Sequence, residues 1–253
     1  MKRKNTNLLI LFVTTLFVVS CSFSSIPEPT ATPAPTDTPT ATATITSTPT
    51  KTPLPTKTPN LAATQQFGEW YAEIEEFYNK GYIGTNKGTL KQLKNFSEEW
   101  AQLNWYITWP LNIEASDFVY SAHYSWSSAS KTPNPSGCGI VFGIQNDGSD
   151  YSVFLDQSSI MFLHTENNRG FRVGKSRGTG KVDLVGNTEA DFTLIVNGYY
   201  SYVIVNGEVI GEYAFPQNES MEGDLGVSIL SGTNKDFGTR CSITNIRIWE
   251  PAK

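Results

Sequence analysis

The chain has 253 residues, of which 39% are hydrophobic and 12% aromatic, and it carries a formal net charge of −5 at pH 7. This negative balance argues against nucleic-acid binding, which requires basic patches. Beyond the first 19 residues, no apolar run approaches the roughly 20 residues that a membrane span needs.

The first twenty residues have the features of a secretory signal peptide. Residues 2–4 are basic, residues 8–19 form an apolar run, and Ser20 precedes Cys21. A positive start, a short apolar core and small residues at its end are typical of such signals. The run is too short for a membrane span, so we expect residues 1–20 to be removed.

The junction Val18-Val19-Ser20-Cys21 resembles the lipobox of bacterial lipoproteins. The resemblance implies that the Cys21 sulfur carries a diacylglycerol and that its amine is acylated, for example with palmitate. Several chains are needed because one acyl chain binds a membrane only marginally. The implied location is the outer face of the cell membrane, or the outer membrane of a diderm organism because Ser22 follows the cysteine. The alternatives are an ordinary secretory signal and an uncleaved N-terminal anchor.

Residues 21–60 are predicted to form a disordered tether. Positions 26–60 contain nine of the fourteen prolines, thirteen threonines and no aromatic residue. Such a composition cannot bury enough apolar surface to offset the entropy of ordering, and proline favours extended polyproline II. At about 3.1 Å per residue the segment would reach roughly 100 Å. The Thr-Pro pattern also resembles O-glycosylated stalks, but a plain spacer is the preferred interpretation.

Residues 61–82 are predicted to form an amphipathic helix that packs on the domain that follows. Aromatic and aliphatic side chains recur at spacings of three and four over residues 62–80, with glutamates largely on the opposite face. Gly81 stands where a glycine commonly ends a helix. The aromatic stripe therefore indicates a core-facing surface, and Glu73, Glu75 and Glu76 indicate a solvated one.

Residues 83–253 are predicted to form a β-sandwich domain. Asn197-Gly198 and Asn206-Gly207 lie between β-rich runs, and this dipeptide is typical of type I′ hairpins. Many short strands without intervening helices favour an antiparallel sandwich or barrel. The expected strands span residues 89–94, 100–108, 118–126, 138–145, 151–155, 159–165, 170–175, 191–197, 200–205, 208–215, 224–230 and 241–249.

The run of these strands resembles the concanavalin A-like, or laminin-G-like, jelly roll, including domains related to 3-keto-disaccharide hydrolases. The motifs that carry the resemblance are Ser136 to Phe142, Tyr151 to Leu155, Phe192 to Val196 with Val205-Asn206-Gly207-Glu208, Asp224-Leu225-Gly226, and Thr244 to Trp249. It implies a mainly β, antiparallel two-sheet jelly-roll sandwich with one N-terminal helix. The family contains lectins, glycanases and adhesion modules, so the resemblance implies a fold rather than one function.

The cysteines predict a disulfide. With Cys21 assigned to lipid, Cys138 and Cys241 remain, and an exported protein favours their pairing. Two buried free thiols are the alternative. If the two are bridged, the polar loops 127–137 and 231–240 must emerge side by side.

The resulting rim is the predicted ligand-binding site, because aromatic faces beside amides and charges suit sugar rings. The alternative is that these residues simply form tight turns. The rim residues are Trp126, Lys131, Asn134, Asn234, Lys235, Asp236, Phe237 and Arg240.

Signals for catalysis or a cofactor are weak. Glycoside hydrolysis needs two carboxylates at a set separation, and the sequence offers no convincing pair. His123 and His164 sit within strands and have no metal-ligand spacing around them. We therefore expect no catalytic residue, metal or cofactor. Residues 146–150, with Asn146, Asp147 and Asp150, resemble the acidic calcium loops of some relatives but are equally a hairpin turn.

A second aromatic set, Trp100, Trp105, Tyr106 and Trp109, is expected in the core, with a stacking platform as the alternative. The leading hypothesis is a membrane-anchored, non-catalytic module that binds an extracellular glycan. The alternatives are a protein-interaction or adhesion module of an envelope complex and a glycoside-processing hydrolase of the 3-keto-disaccharide type.

Overall fold

The computed structural model describes residues 61–131, 135–156, 159–175, 177–178, 188–217 and 219–252. The predicted signal peptide and tether lie outside these residues, as does the lipidation site Cys21. Within the described part, no helix has the length and apolar character needed to cross a membrane.

Helix α1 spans Leu61–Asn79, so it begins where predicted and ends three residues before the predicted limit at residue 82. Its C-terminus is closed by Gly81, whose φ is +74°. The N–H of Gly81 donates to the carbonyl of Tyr78, and the N–H of Tyr82 donates to that of Phe77, each at 2.9 Å. This pair of bonds is a Schellman motif, which satisfies the last carbonyls of the helix and fixes where Tyr82 leaves it.

Sheet A is antiparallel and lies under α1. Its strands, in spatial order, are β1 (Gly88–Gln92), β14 (Thr239–Pro251), β4 (Phe118–Ser128), β10 (Thr188–Asn197), β11 (Tyr200–Val205) and β12 (Glu208–Ala214). Strand β2 (Phe96–Trp100) also pairs with β14, along the stretch of that strand that β1 leaves open.

Sheet B forms the second layer and is also antiparallel. Its strands, in spatial order, are β3 (Trp105–Ala115), β13 (Gly223–Ser231), β5 (Gly137–Ile144), β6 (Asp150–Asp156), β7 (Ser159–Glu166) and β8 (Arg169–Arg172). The short strand β9 (Arg177–Gly178) pairs with β7 beside β8.

The core lies between the two sheets. On β4, Tyr120 and Tyr124 are fully buried, and Phe192 on β10 packs against both rings. Phe142 and Phe162 meet them from sheet B. Alternate side chains of each strand enter this layer because successive residues point to opposite faces. The prediction of an antiparallel two-sheet jelly-roll sandwich with an N-terminal helix is confirmed.

One predicted strand is wrong. Residues 101–104 form a turn between β2 and β3 instead of continuing a strand over 100–108, and Asn104 has a φ of +56°. Strand β3 then runs on through Pro110 to Ala115, beyond the predicted end at residue 108. Proline is tolerated there because β3 is the edge strand of sheet B and needs no donor on its open side.

The two predicted hairpins are both present, with different turns. Asn206 and Gly207 have φ values of +51° and +79°, as a type I′ turn requires. In the other hairpin Asn197 pairs with Tyr200, so the turn residues are Gly198 and Tyr199. Of these, Gly198 has a positive φ of +57°, the pattern of a type II′ turn, so the I′ assignment at Asn197-Gly198 is wrong.

The predicted disulfide is present. Cys138 on β5 is bonded to Cys241 on β14, and their Cα atoms are 5.8 Å apart. Both residues are fully buried in the core, so the bridge joins the two sheets.

Candidate functional site

The two loops beside the disulfide lie next to each other, as predicted. Ser128 pairs with Thr239, and the N–H of Ala129 donates to the carbonyl of Gly238 at 2.8 Å. Asn134, one of the predicted rim residues, lies outside the described residues.

Trp126 does not stand on this rim. Its side chain is 5% exposed and belongs to the core cluster between the sheets, so the prediction that it offers a stacking face is wrong. The reason is strand alternation: Trp126 points inward with Tyr124, whereas Ser125 and Ser127 point outward.

The remaining rim residues are Lys131 on the first loop and an exposed turn on the second. Lys131, Asn234, Lys235 and Asp236 are exposed, and Asp236 has a φ of +45° within a turn closed by a 2.8 Å bond from the N–H of Gly238 to the carbonyl of Lys235. The guanidinium of Arg240 lies 4.4 Å from the ring centre of Phe237. The turn alternative therefore accounts for most of this predicted site.

Arg240 connects the rim to the outer face of sheet A. Its guanidinium forms an ion pair at 2.5 Å with Glu99 on β2, and both side chains are about half exposed. Ser97, Glu98, Glu99 and Arg240 line an open depression of about 380 Å³.

The outer face of sheet A is apolar where α1 covers it. Strand register aligns Trp249, Val119, Ile195 and Tyr202 across four neighbouring strands. The first three pack against buried side chains of α1, including Trp70. This row of side chains holds the helix across the sheet.

The face becomes polar along the edge of α1 and beyond it. The next aligned rows contain Arg247, Ser121 and Thr193, then Thr244, His123 and Asp191, then Ser242, Ser125 and Glu189, and finally Arg240 and Ser127. We call these residues the polar strip. From Ser121 to Ser127 on β4 it extends about 20 Å, at roughly 3.4 Å per residue.

A groove of about 300 Å³ lies where the polar strip meets α1. Its floor is Arg247, whose guanidinium carbon lies 4.8 Å from the ring centre of Trp70. Nη2 of Arg247 donates to Ser121 Oγ at 3.4 Å and lies 4.0 Å from the carboxylate of Glu73. Among the described residues, the buried Nε of Arg247 has no hydrogen-bond partner. Arg247 therefore links the polar strip to α1 through Trp70 and Glu73.

Acidic and imidazole side chains form the sides of this groove. Burial raises the pKa of Glu73 above its ordinary value, and Arg247 opposes the shift. His123 Nδ1 lies 2.8 Å from a carboxylate oxygen of Asp191, and Ser121 Oγ receives a 3.1 Å bond from Thr193. The groove thus offers donors and acceptors on several sides within one small volume.

The sequence prediction missed this groove. Glu73 was assigned to a solvated helix face, and His123 was given no role. The available signal was the alternation of Ser121, His123, Ser125 and Ser127 on β4, which marks a polar outer face. His123 and Asp191 are 68 residues apart, however, and strand register brings them together.

The calcium interpretation of residues 146–150 is not supported by the described residues. Asp147 accepts bonds from the backbone N–H and hydroxyl of Ser149, as a hairpin turn requires. Asp150 instead accepts a 3.2 Å bond from the hydroxyl of Tyr106. No cluster of three or more His, Cys, Asp or Glu side chains suited to a metal occurs in the described part of the chain.

The second aromatic set divides between the two faces of β3. Trp109 packs on the core, edge-on to Phe96 at 5.0 Å, and Trp100 also packs there. Tyr106 joins a small cluster on the outer face of sheet B, and the exposed ring of Trp105 stacks on it at 5.9 Å.

No family model matches the sequence, and no curated protein matches it. Among solved structures, the chain is similar to the carbohydrate binding module CBM66 from Bacillus subtilis, at 12% identity and a TM-score of 0.44, over 65% of this chain and 98% of the module. It is similar to a Bacillus licheniformis beta-glucanase at 10% identity and a TM-score of 0.42, over 68% and 96% of the two chains. Sheep galectin-11 in complex with glycerol matches at 12% identity and a TM-score of 0.37, over 59% and 99%. At these values the similarities assign neither a ligand nor an activity to this chain.

Proposed function

We propose that this chain is an exported, lipid-anchored protein whose β-sandwich binds carbohydrate on the polar strip of sheet A. The observation that carries the proposal is the groove beside α1, where outer-face side chains of three strands of sheet A meet the glutamate face of the helix. Hydroxyls, carboxylates, an imidazole and a guanidinium converge there. A sugar ring presents several hydroxyls that act as both donors and acceptors, which such a mixed set can satisfy.

The charges in the groove disfavour an anionic ligand. Lys80 pairs with Glu76 at 2.6 Å, Arg247 faces Glu73, and His123 faces Asp191. Lys80 and Arg247 thus each have an acidic neighbour, so a strong anion finds no free cation among the residues that line the groove. Hydrogen bonds to hydroxyls do not depend on net charge.

The anchor and tether complete the proposal. Cys21 is proposed to carry the lipid chains, and residues 26–60 to hold the sandwich away from the membrane surface. A module that binds glycan outside the cell needs this separation because polysaccharides lie beyond the lipid headgroups.

Glycoside hydrolysis is a second candidate function, favoured by one observation. Glu73, whose pKa is raised by burial, lies in the same groove as Asp191. A carboxyl group with a raised pKa beside a second carboxylate is what glycoside cleavage uses.

A glycan array tests the proposal on the full chain, purified in a detergent without a sugar headgroup. We expect binding to at least one glycan, a loss of at least tenfold in Arg247→Met, and no change in the matched control Arg169→Met on β8. Absence of binding to every glycan on the array would contradict the proposal. Binding that Arg247→Met leaves unchanged would also contradict it. Release of sugars from the bound glycan, abolished in Glu73→Gln, would instead establish the hydrolase.

A further inference from the structure

Three tyrosines, one exposed and two partly buried, form an aromatic surface near the C-terminal end of α1. The rings of Tyr82 and Tyr202 lie 4.5 Å apart between centres, with an angle of 31° between their planes. Tyr200 stands two residues before Tyr202 on β11 and is 59% exposed. We call Tyr82, Tyr200 and Tyr202 the tyrosine platform.

Strand alternation places the platform on the outer face of sheet A. Ser201 is fully buried, and Val203 lies in the core between the sheets. Tyr200 and Tyr202 therefore both point outward, with Cα atoms about 7 Å apart along the strand. Two aromatic rings follow one another along β11, and Tyr82 flanks the second.

The platform is held in place by its surroundings. The Schellman motif fixes the backbone at Tyr82, and the side-chain amide of Asn197 donates to the Tyr82 carbonyl at 3.2 Å. Glu212 on β12 is the register partner of Tyr202. Burial, with smaller contributions from Glu212, Tyr82 and Tyr200, raises the pKa of Tyr202. The surface therefore combines ordered rings with a carboxylate that accepts hydrogen bonds.

The platform adjoins the groove of the polar strip. Tyr82 lines that groove together with Lys80 and Arg247, and its tilted ring also packs against the ring of Tyr202. A chain molecule bound in the groove thus meets the platform at Tyr82 and has Tyr200 beyond it.

We infer that the tyrosine platform stacks the pyranose rings of a β-1,4-linked glycan with equatorial hydroxyls, a chain that continues from the groove. Such sugars present flat C–H faces, which pack on aromatic rings, while their hydroxyl edges reach polar groups such as Glu212. An axial hydroxyl interrupts one of these faces. The inference rests on the proposed carbohydrate binding and adds the class of glycan and the residues that stack it.

Isothermal titration of the full chain with cellohexaose and with chitohexaose tests the inference, again in a sugar-free detergent. We expect at least one of them to bind, and Tyr200→Ala to raise its dissociation constant about 3- to 10-fold, because one stacking contact is lost. Tyr200→Phe keeps the ring and should bind like the wild type. Tyr71→Ala, at another exposed tyrosine on α1, is the matched control and should change nothing.

The outcomes separate this inference from the proposed function. If Arg247→Met weakens binding and Tyr200→Ala does not, the tyrosine platform is overturned, while the proposed carbohydrate site in the groove stands. Failure of both hexasaccharides while another glycan binds on the array would overturn the assigned glycan class. Failure of every glycan would overturn both. Because Tyr200 is mostly exposed, its substitution does not disturb the core, and an unchanged thermal midpoint would verify this.

Discussion

At the scale of single residues, buried carboxyls set how stability depends on pH. Asp156 is 6% exposed and accepts a 3.1 Å bond from the N–H of Ser136. Burial raises the pKa of Asp156 to about 6, and the bond from Ser136 opposes this shift. Burial likewise raises the pKa of Asp150 to about 6, against the bonds from Tyr106 and Thr165.

The raised pKa of Asp156 predicts that the free energy of unfolding falls as pH rises from 4 to 6. The folded state holds the proton of Asp156 at pH values where the unfolded chain has lost it, so raising the pH favours unfolding. In Asp156→Asn the amide oxygen still accepts from Ser136, and the variant should gain stability relative to the wild type by about 2 kcal/mol across this range. Urea titrations at pH 4, 5 and 6 measure it.

The control for this experiment is Asp224→Asn, at an exposed carboxyl on β13. The free energy of unfolding of this variant should differ from that of the wild type by the same amount at all three pH values. A constant difference for Asp156→Asn as well would show that the buried carboxyl does not titrate in this window.

Trp70 is the residue through which α1 is held to sheet A. It is 1% exposed, packs in the cluster with Val119 and Trp249, and lies under the guanidinium of Arg247. Trp70→Ala should lower the free energy of unfolding by about 3–5 kcal/mol, because it leaves a large cavity. Tyr71→Ala, at the neighbouring exposed position, should cost less than about 0.5 kcal/mol. Similar losses for the two variants in urea unfolding would contradict this account of the helix.

At the scale of elements, the disulfide joins β5 of one sheet to β14 of the other. Converting both Cys138 and Cys241 to serine removes a bridge across a sequence separation of 103 residues. We expect the free energy of unfolding to fall by about 2–5 kcal/mol, with the loss visible as a lower urea midpoint. Reduction of the wild type should reproduce the loss. A double variant as stable as the wild type would show that the bridge adds nothing to the stability of the sandwich.

The fold was predictable from the sequence because its signals are local. Strand alternation, the glycines at turns and the helical spacing of α1 each act within a few residues. The errors also have local causes: a turn at residues 101–104 divides the predicted strand 100–108, and the Asn197-Gly198 pair suggested a turn one residue too early. Neither error changed the architecture.

The site was mostly not predictable, because it depends on which strands become neighbours. Arg247, His123 and Asp191 belong to three strands, and register aligns their rows. The predicted disulfide correctly placed the loops at Ser128 and Thr239 side by side. The cysteine pairing does not determine which residues of β4 point inward, so it could not show that Trp126 faces the core.

At the scale of the whole molecule, the proposed anchor has a direct test. Cys21→Ser should leave the sandwich folded but shift the protein from the membrane fraction to the soluble fraction, because the residue that accepts lipid is lost. Incorporation of radiolabelled palmitate into the wild type, absent from the variant, measures the modification itself. Ser22→Ala is the matched control and should remain with the membrane. Retention of Cys21→Ser in the membrane fraction would favour an uncleaved N-terminal anchor.

The central claim is that glycan binds on the polar strip. The two histidines of the chain lie on different sheets, so their NMR signals can show on which sheet the glycan binds. His123 lies on the strip beside Asp191, whereas His164 lies on β7 of sheet B, stacked on Tyr151 at 4.4 Å. Imidazole NMR signals can therefore be followed while the strongest glycan from the array is titrated into the full chain. We predict that the His123 signals shift along a saturating curve and that those of His164 stay in place. Glycan binding that shifts His164 and leaves His123 unchanged would contradict the account.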